Sequence, residues 1–269
     1  MILGYSRVFG TALPLTGLSW NLDASDPSKI FTTFTAAVDP CWSVPTADGG
    51  VARVVVSTIP GPPSEEPLVG DGSSTNSPSW QQSAPALPLP DLLFDGINDR
   101  SLITSDVGSQ LTLNGSSLLS ASAKTMLVSF QIHAASLNNG FPAFNHPIIQ
   151  DTNIQLGIFV RAGPNVQFYN THDNAGTSDY VEFAISLDTN YVACYRHDGV
   201  NVYGSINGGT ELSDVSGPTL NMGGGFRVGG DGSRFSNVSI GQILLYNAFL
   251  TGTTLTDAIT YMTDKWLII

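Results

Sequence analysis

Short runs in which apolar and polar residues alternate are the feature that most restricts the fold of this chain. The clearest run is "TMLVSFQIH" at residues 125–133, and "IQLGIFV" at residues 154–160 repeats the pattern. A period of two residues is typical of β-strands, because successive side chains point to opposite faces. The residues on the apolar face of the first run are Met126, Val128, Phe130 and Ile132.

Further β-prone runs follow at intervals of roughly ten to fifteen residues. They include "VQFY", "VEFAIS", "YVACYR" and "VNVYGSI", separated by turn sequences such as "DNAGTSD", "HDG" and "NGG". Short strands at such spacing predict an all-β protein, a two-sheet antiparallel sandwich of the jelly-roll kind. The sequence contains no G-x-G-x-x-G or P-loop motif, so no nucleotide site is indicated.

The end of the chain, "IGQILLYNAFLTGTTLTDAITYMTDKWLII", predicts a buried strand, a turn and one short amphipathic helix. Thr251 or Thr254 can cap the helix, while Asp257 and Lys265 suit its positive and negative ends. Its apolar stripe consists of Leu255, Ala258, Ile259, Met262 and Trp266. We expect this stripe to pack against the sandwich and close one open edge or end, with Trp266 buried.

The N-terminal part of the chain is less regular. Residues 1–16 form an apolar arm without a helical or strand period. The alternation after the arm predicts a half-buried strand, and "VARVVV" at residues 51–56 predicts another. The apolar residues of the first of these strands are Leu18, Trp20 and Leu22.

Residues 57–90 are rich in Pro, Ser and Gly. A central strand does not tolerate so much proline, so this stretch is predicted to be a long surface excursion. A linker between two domains is the alternative. We predict a single domain over residues 17–269, preceded by the arm at residues 1–16 and interrupted by the excursion.

Charge is scarce and negative, with 10 Lys and Arg against 22 Asp and Glu and a formal net charge of −12. Phosphate backbones and anionic membranes repel such a chain, and no Lys/Arg cluster occurs, so nucleic-acid binding is not expected. No apolar run is long enough to span a bilayer. The first residues also lack the basic and apolar regions of a secretory signal.

Four sequence elements point to a known family. The tail resembles the pattern "G-x-I-x-E-I-x-x-Y-N", then "x-x-L-T", a helix and "Y-L-x-x-K-W", which is often followed by Gly. Gln242 stands in place of the Glu of this pattern, and Leu267 stands in place of the Gly that follows Trp. Upstream come "LSWNLDASDPSKIF", "FDGINDRSL" and "YRHDGVNVYGSINGGTE", in this order within residues 18–267. In these elements the chain resembles the concanavalin A-like lectin/glucanase superfamily, in its laminin-G-like branch. The resemblance implies a jelly-roll fold and says little about activity, because function depends on sites.

The opening "SDPSKIF" and the run "VPTADGGV" are also similar to modules of bacteriophage virion and tail proteins. This resemblance implies a non-enzymatic virion structural or surface protein, a decoration or tail component, assembled in the host cytoplasm. In that role the arm would contact other virion proteins, within a homo-oligomer or a larger assembly. The sandwich would contribute assembly contacts and weak adhesion to cell-surface glycans.

Two other classes of protein remain open at this point. One is a bacterial carbohydrate-binding module or a degenerate glycoside hydrolase. The other is a host-encoded adhesion protein, which would need an export route that the sequence does not show.

The glutamates do not form an evident catalytic pair. The chain has four, Glu65, Glu66, Glu182 and Glu211. Glycoside hydrolysis uses two carboxyl groups that flank the scissile bond. Glu65 and Glu66 fall in the excursion, and Glu182 has no second Glu near it, while Asp188 comes at the end of its strand. We therefore expect no enzyme activity and assign no catalytic residue.

Ligand contacts are expected from aromatic side chains, because a ring face stacks on the apolar face of a pyranose. The candidates are Tyr169, Tyr180 and Tyr203. Outward tyrosines on strands also serve simple cross-strand packing, which is the alternative.

No cofactor is required by any motif. The family resemblance adds calcium as an alternative, because loop carboxylate and amide oxygens suit a hard cation. The candidate ligands are Asp95, Asn98, Asp99 and Asp231. Asp-Gly and Asn-Gly pairs are also ordinary turn formers, which is the simpler interpretation.

Histidine and cysteine indicate no metal or catalytic centre. The histidines at positions 133, 146, 172 and 197 are scattered, and no nucleophile elbow accompanies them. Cys194 lies in an apolar run and is expected to be a buried thiol. Whether Cys41 pairs with Cys194 is open, because nothing in the spacing requires a disulfide.

Overall fold

A computed structural model of the chain describes residues 11–31, 49, 54–55, 68–70, 78–82, 86–97, 101–103, 105–107, 110–112, 123–133, 146–151, 156–161, 165–171, 178–215, 226–230 and 234–267. These residues form nineteen strands, one short 3-10 helix at Pro27–Lys29 and one α-helix, α1, at Gly252–Trp266.

The strands are numbered along the chain. Strands β1 to β9 are Leu18–Asp23, Ile30–Phe31, Val54–Val55, Leu68–Gly70, Ser79–Gln81, Asp91–Asp95, Ser101–Ile103, Ser105–Val107 and Gln110–Thr112. Strands β10 to β19 are Lys124–Ile132, His146–Asp151, Leu156–Arg161, Asn165–Thr171, Ser178–Ala184, Asn190–His197, Asn201–Ile206, Leu212–Val215, Phe226–Val228 and Asn237–Tyr246.

Two antiparallel sheets make up the fold. The first sheet has the order β17-β16-β15-β10-β19-β6-β5, with β1 also paired to β19, and the second has the order β14-β13-β12-β11-β18-β7-β4-β3-β2. Strands β8 and β9 pair separately. The predicted all-β, two-sheet antiparallel sandwich with one C-terminal helix is confirmed.

The main core lies between the two sheets. Strand β10 contributes the four apolar residues that its alternation predicts, and β12 contributes Leu156, Ile158 and Val160 from the opposite sheet. All of these side chains are buried. At about 1.5–3 kcal/mol for each large apolar side chain, burial on this scale drives the two sheets together.

The proline-rich stretch is not entirely outside the sheets. It contains β4 and β5, and Trp80 of β5 is buried, with its indole N–H donating to the carbonyl of Ala24 at 2.9 Å. Pro67 and Pro78 each come directly before one of these strands. Because a proline in that position removes no donor from within a strand, the stretch can lend short strands to both sheets.

The first strand also differs from its predicted pattern. Its pairing with β19 shifts register between Leu18 and Trp20. Trp20 and Leu22 therefore enter the main core, whereas Leu18 packs on the other side of the sheet, beneath the helix. An extra residue in one strand reverses the facing of the side chains that precede it.

Helix α1 packs on a face of the first sheet, so the prediction that it closes an edge or end is wrong. A second apolar cluster lies between the helix and strands β10, β15 and β19. Its helical members include Ala258, Met262 and Trp266, as the stripe predicts. The central strands of this sheet carry apolar residues on both faces, and helix α1 shields those on the outer face from water.

Trp266 is fully buried, as predicted, and its ring lies directly on Gly241 of β19. A Cβ added at Gly241 would stand 2.3 Å from the ring, so glycine is what allows the indole to approach the backbone. The indole N–H donates to Oε1 of Gln242 at 2.9 Å. Next to it, Nζ of Lys265 donates to Oδ2 of Asp23 at 2.5 Å.

The helix ends agree in part with their predicted caps. Thr251 holds the N-cap position, but its side chain makes no capping hydrogen bond, and Thr254 lies within the helix. Lys265 lies in the last turn, where a cation is favoured.

Residues 11–16, the described part of the arm, contact the sandwich domain of the same chain. The carbonyl of Pro14 accepts a hydrogen bond from the Tyr246 hydroxyl at 3.0 Å, and Leu13 packs against the cluster beneath the helix. Leu15 is exposed. Residues 1–10 lie outside the described residues, so contacts of the arm with other proteins stay a prediction.

Replacing Trp266 by Ala is expected to lower the free energy of unfolding by about 3–5 kcal/mol, because a large cavity opens beneath the helix. Trp266→Phe keeps most of the ring but removes the donor to Gln242, so it should cost less, about 1–3 kcal/mol. Denaturant unfolding followed by circular dichroism measures both. Wild-type stability for Trp266→Ala would contradict the packing described here.

Candidate functional site

The outer face of the second sheet presents a group of aromatic and polar side chains on β12, β13 and β14. The alternation that buries Val166 and Phe168 in the main core turns Gln167 and Tyr169 of the same strand outward. Neighbouring strands are in register, so the outward side chains of all three strands form rows across the sheet.

Tyr169 and Tyr180 stand directly opposite each other on β13 and β14. The ring of Phe159, on β12, meets that of Tyr169 edge to face, with centroids 5.5 Å apart. Phe159 is buried, Tyr169 is partly buried and Tyr180 is 42% exposed. We call these three residues the aromatic ladder; it brings together two of the three tyrosines proposed from the sequence.

Glu182 lies beside the ladder, two residues after Tyr180 and directly opposite Gln167. The side-chain amide of Asn165 donates to Oε1 of Glu182, and that of Gln167 donates to Oε2, both at 2.6 Å. Nη1 of Arg161 lies 3.7 Å from the same Oε2. Among the described residues each carboxylate oxygen accepts one hydrogen bond, which leaves it room for another, so Glu182 is a fixed acceptor next to an exposed ring.

Gln150 lies in the same row across the sheet as Tyr169 and Tyr180, because it pairs with Gly157, which pairs with Tyr169. Its side-chain amide is buried, and within the described residues neither of its polar atoms has a hydrogen-bond partner. A Cβ at Gly157 would stand 2.9 Å from both Gln150 and Phe159, so glycine leaves the room that these two side chains occupy. Unmet hydrogen-bonding capacity of this kind costs about 1–3 kcal/mol.

Tyr203, the third candidate, lies on the other sheet and does not join the ladder. Its ring packs against Phe249 at 5.4 Å and against the guanidinium of Arg196, which is paired with Glu211. Its hydroxyl donates to Asp198 at 2.8 Å, and this hydrogen bond raises the pKa of Tyr203. The contacts of Tyr203 are therefore those of a packed residue that holds a hairpin to the loop after β19.

His133, Ser239 and Asp188 are arranged in the order of a catalytic triad. Nε2 of His133 lies 3.1 Å from the Ser239 hydroxyl, and Nδ1 lies 3.2 Å from Oδ1 of Asp188. Ser239 is 1% exposed, within strand β19, and the carboxyl group of Asp91 lies beside it. A hydroxyl so enclosed cannot reach a substrate carbonyl, so this group is a hydrogen-bond relay that runs from the exposed Asp188 inward to Ser239.

Asp91 is the inner end of this relay. Burial raises the pKa of Asp91 to about 6, although hydrogen bonds from the backbone of Leu87 and Ala86 and from Ser239 oppose the shift, as does the charge of His133. The backbone N–H of Leu87 donates to Oδ2 at 2.9 Å.

The other histidines and the thiol have structural surroundings. His146 is buried with Nδ1 at 2.9 Å from the carbonyl of Phe235, and His197 accepts from the N–H of Gly199. Cys194 is a buried free thiol, as expected, and burial raises its pKa to about 12. His172, Cys41, Glu65 and Glu66 lie outside the described residues.

Of the calcium candidates, only Asp95 belongs to the part of the chain that the structure describes. Its Oδ1 accepts from the N–H of Ile97 at 2.8 Å, the hydrogen bond of an ordinary turn. Asn98, Asp99 and Asp231 lie outside the described residues, so calcium binding stays a prediction. In the described ranges, no group of three or more His, Cys, Asp or Glu is placed to hold a metal ion.

Comparison with known proteins gives a fold but no family. No protein-family model matches the sequence, and no curated protein matches it. No helix within the described residues is long and apolar enough to cross a membrane.

Similar solved structures are binding domains of botulinum neurotoxins. The receptor binding domain of the C/D mosaic serotype has a TM-score of 0.56 at 12% identity, over 77% of this chain and 48% of that one. The serotype D binding domain has a TM-score of 0.54 at 11% identity, over 77% of this chain and 48% of that one. The serotype D domain solved in complex with N-acetylneuraminic acid has a TM-score of 0.51 at 11% identity, over 79% of this chain and 49% of that one. This chain spans about half the length of these domains, and the likeness shows a shared β-sandwich fold.

The relay predicts how stability depends on pH. Because the folded state raises the pKa of Asp91 above 3.8, it binds the proton more tightly than the unfolded chain does. Stability from this group is therefore greatest below about pH 4 and is lost as pH rises through about 6. The loss amounts to about 3 kcal/mol, at about 1.4 kcal/mol for each pKa unit.

Asp91→Asn should remove this loss, so the variant is expected to match wild type near pH 4 and exceed its stability at pH 8. Asp95→Asn, at an exposed site on the same strand, is the control and should follow the wild-type profile. Unfolding measured from pH 4 to 8 tests this. Parallel profiles for Asp91→Asn and wild type would show that Asp91 does not carry a raised pKa.

Proposed function

We propose that this chain is a non-enzymatic domain that binds glycans through the aromatic ladder and Glu182. The observation that carries the proposal is the exposed Tyr180 ring beside a carboxylate that two side-chain amides hold in place. A pyranose has an apolar face that can stack on a tyrosine and hydroxyl groups that can donate to a carboxylate. Such a pairing of one ring with a few fixed polar groups is typical of small-molecule sites.

The contacts of Glu182 favour binding over hydrolysis. Both retaining and inverting glycosidases need a second carboxyl group within about 5–9.5 Å, across the scissile bond. In the described part of the chain, the groups in contact with Glu182 are two amides and one guanidinium. These groups fix an ionised acceptor and do not supply a proton to a leaving group.

The structural comparisons support the same role. The similar domains are receptor-binding domains, and one of them was solved with a bound sugar acid, N-acetylneuraminic acid. A place for this chain in the concanavalin A-like superfamily, proposed from its four sequence elements, accords with a β-sandwich that binds sugars. Target glycans on a cell surface are part of this proposal.

A virion location is a separate proposal that rests on the resemblance of the opening residues to phage proteins. A glycan-binding surface suits a particle that attaches to cells. Cofractionation of the chain with purified particles would support this location, and its absence from them would contradict it.

Tyr180→Ala is expected to weaken glycan binding about tenfold, because an aromatic contact contributes about 0.5–1.5 kcal/mol beyond the area it buries. Binding of the full chain to an array of neutral and acidic oligosaccharides identifies the ligands, and titration calorimetry measures the change.

Val215→Ala, at an exposed apolar residue on the edge of the other sheet, is the matched control and should bind as wild type does. The proposal fails if the wild-type chain binds no oligosaccharide on the array, or if Tyr180→Ala leaves every affinity unchanged.

A further inference from the structure

We infer that the site selects neutral, hydroxyl-rich glycans and rejects acidic ones. This inference rests on the proposed function and concerns the same surface. Its basis is the chemistry of the groups next to Tyr180, which offer an acceptor to the ligand and direct their donors elsewhere.

The acceptor is Glu182, whose two oxygens lie beside the exposed ring. Sugar hydroxyls can donate to the remaining lone pairs of both oxygens, and hydrogen bonds to an ionised acceptor are roughly twice as strong as neutral ones. A carboxylate on the sugar has no proton to donate at neutral pH. It would instead bring a second negative charge next to a fixed one.

The side chains that could act as donors near Glu182 each direct one N–H group at its carboxylate. The amides of Asn165 and Gln167 each point at a Glu182 oxygen, at 2.6 Å. Arg161 is the cation that contacts Glu182 within the described residues, and its Nη1 lies 3.7 Å from Oε2 of that carboxylate. An acidic sugar would have to draw Arg161 away from Glu182 and leave that carboxylate unbalanced.

The next cation along the row is too far away to help. Arg227 lies on β18, opposite Gln150, and four strand spacings separate β18 from the β14 strand of Tyr180. At about 4.8 Å for each spacing, the distance between the strands is about 19 Å. A monosaccharide over Tyr180 cannot span it. The net charge of −12 adds a general repulsion of anions.

The test compares matched pairs of oligosaccharides, each neutral chain with the same chain carrying a terminal sialic acid. Binding to the full-length protein is measured by calorimetry at physiological salt. The neutral member of each bound pair is expected to bind at least tenfold more tightly. Tighter binding of sialylated members that still depends on Tyr180 would overturn this inference and leave the proposed function intact, whereas no binding to any member overturns both.

Two variants assign the selectivity to this surface. Glu182→Gln should weaken neutral binding about tenfold and reduce the neutral-to-acidic ratio, because the charge is lost while the size is kept. Arg161→Gln should raise that ratio or leave it unchanged. Asp257→Asn is the control, because it removes one negative charge, as Glu182→Gln does. Asp257 lies on the exposed side of α1, on the opposite face of the sandwich, so this variant should change neither the neutral nor the acidic affinity.

Two results with these variants would contradict the inference. One is an unchanged ratio in Glu182→Gln that folds as judged by circular dichroism. The other is a lowered neutral-to-acidic ratio in Arg161→Gln, since removing a cation that only balances Glu182 should not favour an anion.

Discussion

The side-chain amide of Gln242 joins the three parts of the chain that have to meet for the first sheet to form. Its Nε2 donates to Asn21 of β1 at 2.8 Å, and its Oε1 accepts from the indole of Trp266 at 2.9 Å. Its backbone N–H donates to the hydroxyl of Ser129 on β10 at 2.7 Å. All these groups are buried, so losing one partner would leave another unsatisfied at a cost of about 1–3 kcal/mol. Gln242 therefore fixes β1 beside the central strand β19 and holds the terminal helix on the outer face of the sheet.

This arrangement gives the two sheets different outer faces. The first sheet has apolar residues on both sides, and helix α1 covers the outer set, so this face is occupied by the chain itself. In the second sheet, β13 and β14 turn a partly open set of rings and polar groups outward, with Tyr180 the most exposed. A ligand has room on the second face and not beneath the helix. Helix α1 thus makes the two outer faces of the sandwich unequal and leaves the proposed recognition surface on the opposite side.

Much of the fold could be predicted from the sequence, because the residues that face the main core recur at every second position, as they do in β10 and β12. The position of the helix could not be predicted, because its apolar stripe shows that the helix packs against the sandwich but not which surface it contacts. The opposition of Tyr169 and Tyr180 depends on the register of the β13–β14 pair, and a shift by one residue would turn one ring inward. The amides around Glu182 and the ring of Phe159 were missed for the same reason. The available signal was the two-residue spacing that puts Asn165, Gln167 and Tyr169 on one face of their strand, and Tyr180 and Glu182 on one face of the next.

The nature of a carboxylate site depends on its neighbours more than on the carboxylate. A glutamate on a strand of a lectin or glucanase-like sandwich suggests a catalytic group until its surroundings are known. Around Glu182, every hydrogen bond in the described residues comes from an amide, and each carboxylate oxygen accepts one of them. What remains is an acceptor of fixed orientation next to an aromatic face. That combination suits the donor-rich, uncharged ring that we propose as its ligand, and at about 12% identity the similar toxin domains share the sandwich without determining this surface.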